Sequence, residues 1–272
     1  MMVALRWLGA GGFTFRVGRR MLAVDPYLTR IPFVRTWIGR VRPDESLAAL
    51  ALPWCDCILV THSHFDHLAD VPAIAKRTGA VVAGSPNTCR LLAMLGVPAR
   101  QIREVGAGDT LSLSGFDIEV MPAAHPRLPG FGPGPLPEKL VPPLRAREYR
   151  MDVCLSFRVR AGTISMLTDT GGACIEGTRA DILLASPRHP RAALARLLRQ
   201  VRPRLVVPCH WENIWRPLSR SIRPMLSAPT LSLPPSRFMD PGRFALAVRR
   251  TGIDAKVFIP EILRENDIRA LL

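Results

Sequence analysis

The stretch "LVTHSHFDHLAD", Leu59–Asp70, places three of the chain's six histidines and two aspartates within twelve residues. It begins as the apolar strand "CILV" and continues into "LADVPAIAKR", whose apolar spacing is typical of a helix. Imidazole and carboxylate groups cost free energy when they are buried without partners, and crowding raises that cost. The crowding therefore predicts a bound species that compensates the polar groups, rather than a purely structural cluster.

Four apolar segments with the composition of strands end in a histidine or an aspartate. "CILVT" leads to His62, "DIEVMPAA" to His125, "TISMLT" to Asp169 and "RLVVPC" to His210. Ligands of open α/β sheets bind at the carboxyl ends of the strands. His62 and His64 are two residues apart, so in an extended stretch both side chains face the same way. Nitrogen and carboxylate ligands suit zinc, manganese or iron, which predicts a metal site at this edge.

The composition predicts a globular protein with a large positive charge. The 272 residues are 48% hydrophobic, and the formal net charge is +15. Nearly all of this charge is arginine, because Lys76, Lys139 and Lys256 are the three lysines. Such a charge favours phosphates, nucleic acid or an anionic membrane as partners. The arginines are scattered, however, so a bias in arginine usage explains the charge equally well.

Strands and helices alternate along the chain, which predicts an α/β fold built as one domain, residues 1–272, from two β-α halves. A proline-rich loop at 126–150 separates the halves, with seven prolines between Pro126 and Pro143. Its apolar residues favour a functional lid over disorder. No apolar run reaches the roughly 20 residues that span a bilayer, so we expect no transmembrane anchor. The six cysteines form no CxxC pair, which predicts reduced thiols and a cytoplasmic location.

The motif His62-x-His64-x-Asp66-His67, followed by a distant histidine, an aspartate and a final histidine, resembles the metallo-β-lactamase superfamily of hydrolases. "WLGAGGFTF" and "LAVDPYLTR" are similar to the branch that contains ascorbate-phosphate lactonases and N-acylphosphatidylethanolamine phospholipase D. The resemblance implies a four-layer αββα sandwich and two divalent metal ions per chain, zinc first and manganese or iron as alternatives. It assigns the ligands as follows: His62, His64 and His125 to one ion, Asp66, His67 and His210 to the other, with Asp169 bridging. It also implies that Asp25 supports the ligands from behind; otherwise Asp25 belongs to an Asp-Pro turn.

The mechanism that follows is hydrolysis of a small anionic ester, a phosphodiester or a lactone, by a hydroxide held between the two metals. Asp66 could also orient this nucleophile. His189 is a candidate proton donor, although a solvent-facing loop position explains it as well. Four further residues are candidates for binding substrate: Phe131, Trp211, Asn213 and Trp215. The two tryptophans could instead pack beneath the pocket. The segment "RIPFVRTWIG" is predicted to form a second flap.

Two other functions remain open on the sequence. An RNA- or DNA-processing nuclease of the same superfamily would use the positive charge, but no contiguous basic stripe is present. An oxidoreductase with a single iron, similar to persulfide dioxygenases, would share much of the ligand set. A true β-lactamase and a non-catalytic binding protein are disfavoured. The sequence leaves the substrate, the metal and a homo-oligomeric state undecided.

Overall fold

The computed structural model describes residues 2–126, 131–173, 175–226 and 239–272. Strands and helices are numbered below in chain order. The first sheet has the order β14-β1-β2-β3-β4-β5-β6. Its strands are β1 (Val3–Gly9), β2 (Gly12–Val17), β3 (Arg20–Val24), β4 (Cys57–Leu59), β5 (Val81–Gly84), β6 (Ile102–Glu104) and β14 (Glu265–Asp267). The strands β1 to β3 form an antiparallel meander, and β3 to β6 run parallel.

The second sheet has the order β13-β12-β11-β10-β9-β8-β7. Its strands are β7 (Thr110–Leu113), β8 (Phe116–Pro122), β9 (Leu155–Ala161), β10 (Ile164–Leu167), β11 (Ile182–Ala185), β12 (Leu205–Pro208) and β13 (Lys256–Val257). Neighbours from β7 to β10 are antiparallel, and those from β10 to β13 are parallel. A hairpin around Ser114 and Gly115 joins β7 to β8.

The described helices are α1 (Phe33–Ile38), α2 (Glu45–Ala51), α3 (Phe65–Leu68), α4 (Val71–Thr78), α5 (Pro86–Met94), α6 (Arg191–Val201) and α7 (Pro241–Arg249). Local chemistry sets several helix ends. The Ser85 side chain accepts a hydrogen bond from the Thr88 backbone N–H at the start of α5. Gly79 ends α4 with φ 79°, a left-handed conformation that costs glycine little. None of the helices in the described ranges is both long and apolar enough to cross a bilayer.

The two sheets face each other across the main hydrophobic core. Phe15 of β2 and Phe116 of β8 meet there, with ring centroids 6.0 Å apart. Side chains alternate along β11: Leu184 packs in the core between the sheets, whereas Leu183 packs in the cluster that holds α6 and α7. Helix α5 covers the first sheet at β5 and β6. The predicted α/β sandwich, with helices outside two facing sheets, is confirmed.

Several details differ from the sequence prediction. The change of sheet falls between β6 and β7, so the proline-rich loop lies inside the second sheet, between β8 and β9, rather than between the halves. The apolar segment "AKVFIP" contributes only the two-residue strand β13. The final strand, β14, has the sequence Glu-Asn-Asp and pairs with β1 at the sheet edge. Exposed polar edge strands lack the apolar alternation that identifies a strand in sequence.

Candidate metal centre

Strand directions bring the predicted ligands to one edge of the molecule. Both β8 and β10 are antiparallel to β9, so they run in the same direction, and β11 and β12 run parallel to β10. His125, Asp169 and His210, which follow β8, β10 and β12, therefore emerge at the same edge. In the first sheet β3 and β4 are parallel, and Asp25 and His62 follow their carboxyl ends.

The candidate ligand side chains form two adjoining triads. The ligand atoms of His62, His64 and His125 lie within 4.8 Å of one another, and those of Asp66, His67 and His210 do the same. The rings of His62 and His67 connect the triads, with centroids 3.9 Å apart. These two groups contain the residues that the family resemblance assigns to each ion, whereas Asp169, the bridging ligand that it implies, belongs to neither group.

Unpartnered nitrogens in both triads show that the donor set fits metal ions. Among the described residues, Nε2 of His62, Nε2 of His64 and Nδ1 of His210 are buried without a hydrogen-bond partner. Buried polar atoms are almost always hydrogen-bonded, so such orphaned atoms require an explanation. Imidazole nitrogens and a carboxylate at this separation are suitable ligands for a divalent cation.

Protonation states favour the same conclusion. Burial lowers the pKa of His64 to about 4 and that of His125 to about 3, and it holds the pKa of His62 well below 6.5. Histidine binds metals in its neutral form. Burial opposes ionisation of Asp66, but neighbouring His67 and His210 outweigh this effect and lower the pKa of its carboxyl group. The ring nitrogens of these three histidines and the Asp66 carboxylate are thus in their metal-binding forms.

Asp25 holds one ligand in place from behind. Its Oδ2 accepts a hydrogen bond from Nδ1 of His67 at 2.8 Å and another from the Thr61 hydroxyl at 2.6 Å. Its Oδ1 accepts from the Thr61 backbone N–H at 2.8 Å. These bonds leave Nε2 of His67 directed toward the triad. Carboxylates at metal sites commonly orient a histidine ligand in this way.

Asp169 and His189 lie together in the cavity beside the triads. The cavity has a volume of about 340 Å³, and His62, His67 and His210 also line it. Asp169 Oδ1 is 2.7 Å from His189 Nε2, and Asp169 Oδ2 accepts the Ser186 N–H at 2.9 Å. The His189 side chain is only 5% exposed, so it does not lie in a solvent-facing loop position. Burial disfavours the charged form of His189, but the adjacent Asp169 carboxylate outweighs burial and raises its pKa.

Of the four predicted substrate residues, two lie in structural positions. Trp211 is 8% exposed and stacks on Trp7, with ring centroids 5.2 Å apart, so it packs beneath the site. Asn213 accepts the Trp215 backbone N–H at 3.0 Å through its side-chain oxygen and thereby forms a turn.

The other two belong to an aromatic row that runs from the surface to the ligands. Consecutive ring centroids are 5.0 Å apart for Trp215 and Phe33, 6.2 Å for Phe33 and Trp37, and 5.7 Å for Trp37 and Phe131. Phe131 lies 6.1 Å from the ring of His64. The proline-rich loop and the segment "RIPFVRTWIG" thus meet each other near the metal ligands. Residues 33–38 of this segment form the exposed helix α1.

The sequence analysis did not identify several residues around the site. Glu212 Oε1 accepts the Ala10 N–H at 2.7 Å and lies 2.7 Å from Nη1 of Arg30, and the Ala10 carbonyl in turn accepts the His210 N–H. The buried Asp70 accepts the backbone N–H groups of Leu28 and Thr29. Arg188 lines the cavity. The sequence held one signal for two of them: Glu212 is two residues from His210, and Arg188 directly precedes His189.

Comparison with known proteins identifies the family to which this chain belongs. Residues 20–211 match the family described as "Beta-lactamase superfamily domain", and the chain belongs to this family. It is 28% identical over 268 residues to a UPF0173 metal-dependent hydrolase of Carboxydothermus hydrogenoformans, an alignment that covers 94% of this chain and 96% of that protein. It is 33% identical over 122 residues to a UPF0173 metal-dependent hydrolase of Pyrobaculum arsenaticum, covering 44% of this chain and only 50% of that protein's length.

Solved structures share the fold at low sequence identity. A metallo hydrolase of Ignicoccus hospitalis superimposes with a TM-score of 0.60 and 19% identity, covering 98% of both chains. An isothiocyanate hydrolase from Delia radicum gut bacteria has a TM-score of 0.58 and 12% identity, covering 97% of this chain and 98% of that one. The predicted superfamily is confirmed, whereas the predicted branch stays a prediction.

Proposed function

We propose that this protein is a metal-dependent hydrolase that holds two divalent ions and cleaves an ester of a small anionic substrate, a phosphodiester or a lactone. The observation that carries the proposal is the pair of adjoining triads with buried, unpartnered imidazole nitrogens. The name of the Carboxydothermus relative, which aligns over nearly the whole chain, supports metal-dependent hydrolysis.

In this proposal each ion has its own triad. His62, His64 and His125 hold one ion, and Asp66, His67 and His210 hold the other. Asp169 faces the same cavity and would contribute a further carboxylate to the ions. Zinc is the first choice for nitrogen-rich ligands, with manganese or iron as alternatives. Two such ions supply an activated water and Lewis-acid polarisation of the scissile group.

Two side chains handle protons and orientation. Asp66 Oδ2 lies 3.3 Å from His210 Nε2, so its other oxygen is left to orient the attacking water. His189 Nε2 lies 2.7 Å from Asp169 Oδ1, and this carboxylate raises the pKa of His189, which favours the protonated imidazole. We assign His189 the donation of its proton to the leaving group. The free thiols of the described cysteines support the predicted cytoplasmic location.

The test is turnover of bis(p-nitrophenyl) phosphate and of a simple lactone by zinc- and manganese-loaded protein. Metal analysis should give about two ions per chain, and chelation should abolish turnover. Asp169→Asn should lower turnover by about 100-fold. The matched change at the exposed Asp254, Asp254→Asn, should leave it unchanged. Turnover that survives chelation, or that is equal in the two variants, contradicts the proposal.

A further inference from the structure

Two different surfaces adjoin the two triads. Arg188 lies in the cavity that histidines of both triads line. The aromatic row of Phe131, Trp37, Phe33 and Trp215 reaches the triads at His64. The centre therefore has a cationic side and an apolar side.

Arg188 occupies a fixed position in the cavity wall. Its backbone N–H donates to Oγ of Ser186 at 3.3 Å, and the Ser186 backbone in turn donates to Asp169. Its side chain lines the cavity together with Asp169 and His210.

The Arg188 guanidinium forms no direct ion pair in the part of the chain that the structure describes, although the carboxylates of Asp66 and Asp169 stabilise its charge from further away. No Asp or Glu oxygen of those residues lies within 4.0 Å of it, and the recorded side-chain hydrogen bond joins its Nε to the Met239 sulfur at 3.3 Å. A half-buried charge without an ion pair costs free energy. A guanidinium is well shaped to bind a carboxylate or a phosphate, so an anion in the cavity would offset that cost.

The aromatic row is unusually exposed where it leaves the centre. Phe33 is 52% exposed, Trp37 is 47% exposed, and in α1 Thr36 alone is buried. Aromatic surface left in water next to a candidate site is typical of a surface that binds apolar groups. Phe131 links this surface to the candidate ligands, because its ring lies 6.1 Å from the ring of His64. The Phe131 ring also packs 5.7 Å from that of Phe65.

We propose that the substrate is amphiphilic, with an anionic group bound by Arg188, an apolar group on Trp37 and Phe131, and the scissile ester between them at the two triads. This inference rests on the proposed ester hydrolysis and adds the substrate class and its orientation. Arg188 and Trp37 act here as specificity-determining residues, one for each end of the substrate.

The test uses inert amides so that binding is measured apart from chemistry. N-hexyl succinamate carries both ends, N-methyl succinamate lacks the apolar end, and N-hexyl butanamide lacks the charge. Calorimetry on zinc-loaded protein should show that N-hexyl succinamate binds at least about tenfold more tightly than either truncated probe. Zinc content measured for each variant confirms that its triads are intact.

Variants then assign each end to its residue. Arg188→Met should remove the advantage given by the carboxylate and leave the advantage of the hexyl chain, and Trp37→Ala should do the reverse. Arg196→Met on the exposed face of α6 and Trp54→Ala at the opposite end of β4 are matched controls that should change neither. Equal binding of the three probes, or variants that behave like their controls, would overturn the inference.

Turnover of monohexyl succinate, the ester counterpart, separates this inference from the proposed function. Tight binding of N-hexyl succinamate without turnover of any ester refutes ester hydrolysis and supports the amphiphile site. If the protein hydrolyses charged and neutral esters equally well, and long and short esters equally well, ester hydrolysis is supported and the proposed binding of an amphiphilic substrate is overturned.

Discussion

Asp25 Oδ2 accepts a hydrogen bond from His67 Nδ1 at 2.8 Å, across 42 residues of sequence. The bond fixes which ring nitrogen of His67 faces the other ligands, because a neutral imidazole has one donor and one acceptor nitrogen. Asp25 is itself fixed by Thr61, which directly precedes His62. One carboxylate thus orients a ligand of one triad and the strand end that carries the other.

Asp25→Asn should weaken binding of one of the two ions by about 10- to 100-fold, because loss of a partner behind a histidine ligand has that effect. Titration of metal-free protein with zinc against a chelator measures both affinities. The matched control is Asp56→Asn, since Asp56 accepts the Met21 N–H at 2.7 Å within the same sheet. If both variants lose affinity equally, the effect is one of general stability and Asp25 has no special role.

Gly171 permits close packing next to His125. Its φ is +60°, and a Cβ there would lie 1.6 Å from the Ala124 carbonyl oxygen. Gly171→Ala should therefore push Ala124, and with it the adjacent His125, away from residue 171. We expect a loss of more than about 2 kcal/mol in the free energy of unfolding, and weaker binding of one zinc ion.

Gly177→Ala provides the comparison, because Gly177 also has a positive φ, +76°, but nothing lies within 4 Å of its Cβ position. It should cost about 1–2 kcal/mol through backbone strain alone, with zinc affinity unchanged. Urea unfolding and zinc titration of the two variants give both quantities. Equal results would show that contact with Ala124 does not matter.

The candidate ligands could be predicted from the sequence because most of them follow an apolar strand and Asp66 and His67 come directly after such a strand end, in α3. Strand ends are local features. His62 and His64 are also close in sequence, so their common side follows from geometry. The supporting contacts could not be predicted in this way. Ala10 and Glu212 are 202 residues apart, and no local pattern indicates that they meet. The exposure of α1 could not be predicted either, because its apolar residues indicate burial rather than exposure.

The buried pair of Arg30 and Glu212 should be a large single contribution to stability. Nη1 of Arg30 lies 2.7 Å from Oε1 of Glu212, and the side chains are 1% and 2% exposed. Their contact is ionic and not an aligned hydrogen bond, because Nη1 has no hydrogen-bond partner. Glu212→Gln should lower the free energy of unfolding by about 3–5 kcal/mol, since it leaves a buried guanidinium uncompensated.

Glu265→Gln is the matched change at a more exposed pair, Arg16 and Glu265, whose side chains are 18% and 33% exposed. It should cost about 0.2–1 kcal/mol and become smaller in high salt. Denaturant unfolding of both variants compares the pairs directly. A loss at Glu212 no larger than that at Glu265 would contradict a structural role for the buried pair.

Crowded neutral histidines should make the metal-free protein sensitive to acid. Burial lowers the pKa of His64 from 6.5 to about 4, so the unfolded chain binds its proton first. Stability from this group is present above pH 6.5 and is lost as the pH falls toward 4, by about 1.4 kcal/mol per pH unit. His64→Gln should therefore flatten the decline of the unfolding free energy by about that amount in chelator. Identical slopes for the variant and the parent protein between pH 6.5 and 4 would show that His64 is not held neutral by burial.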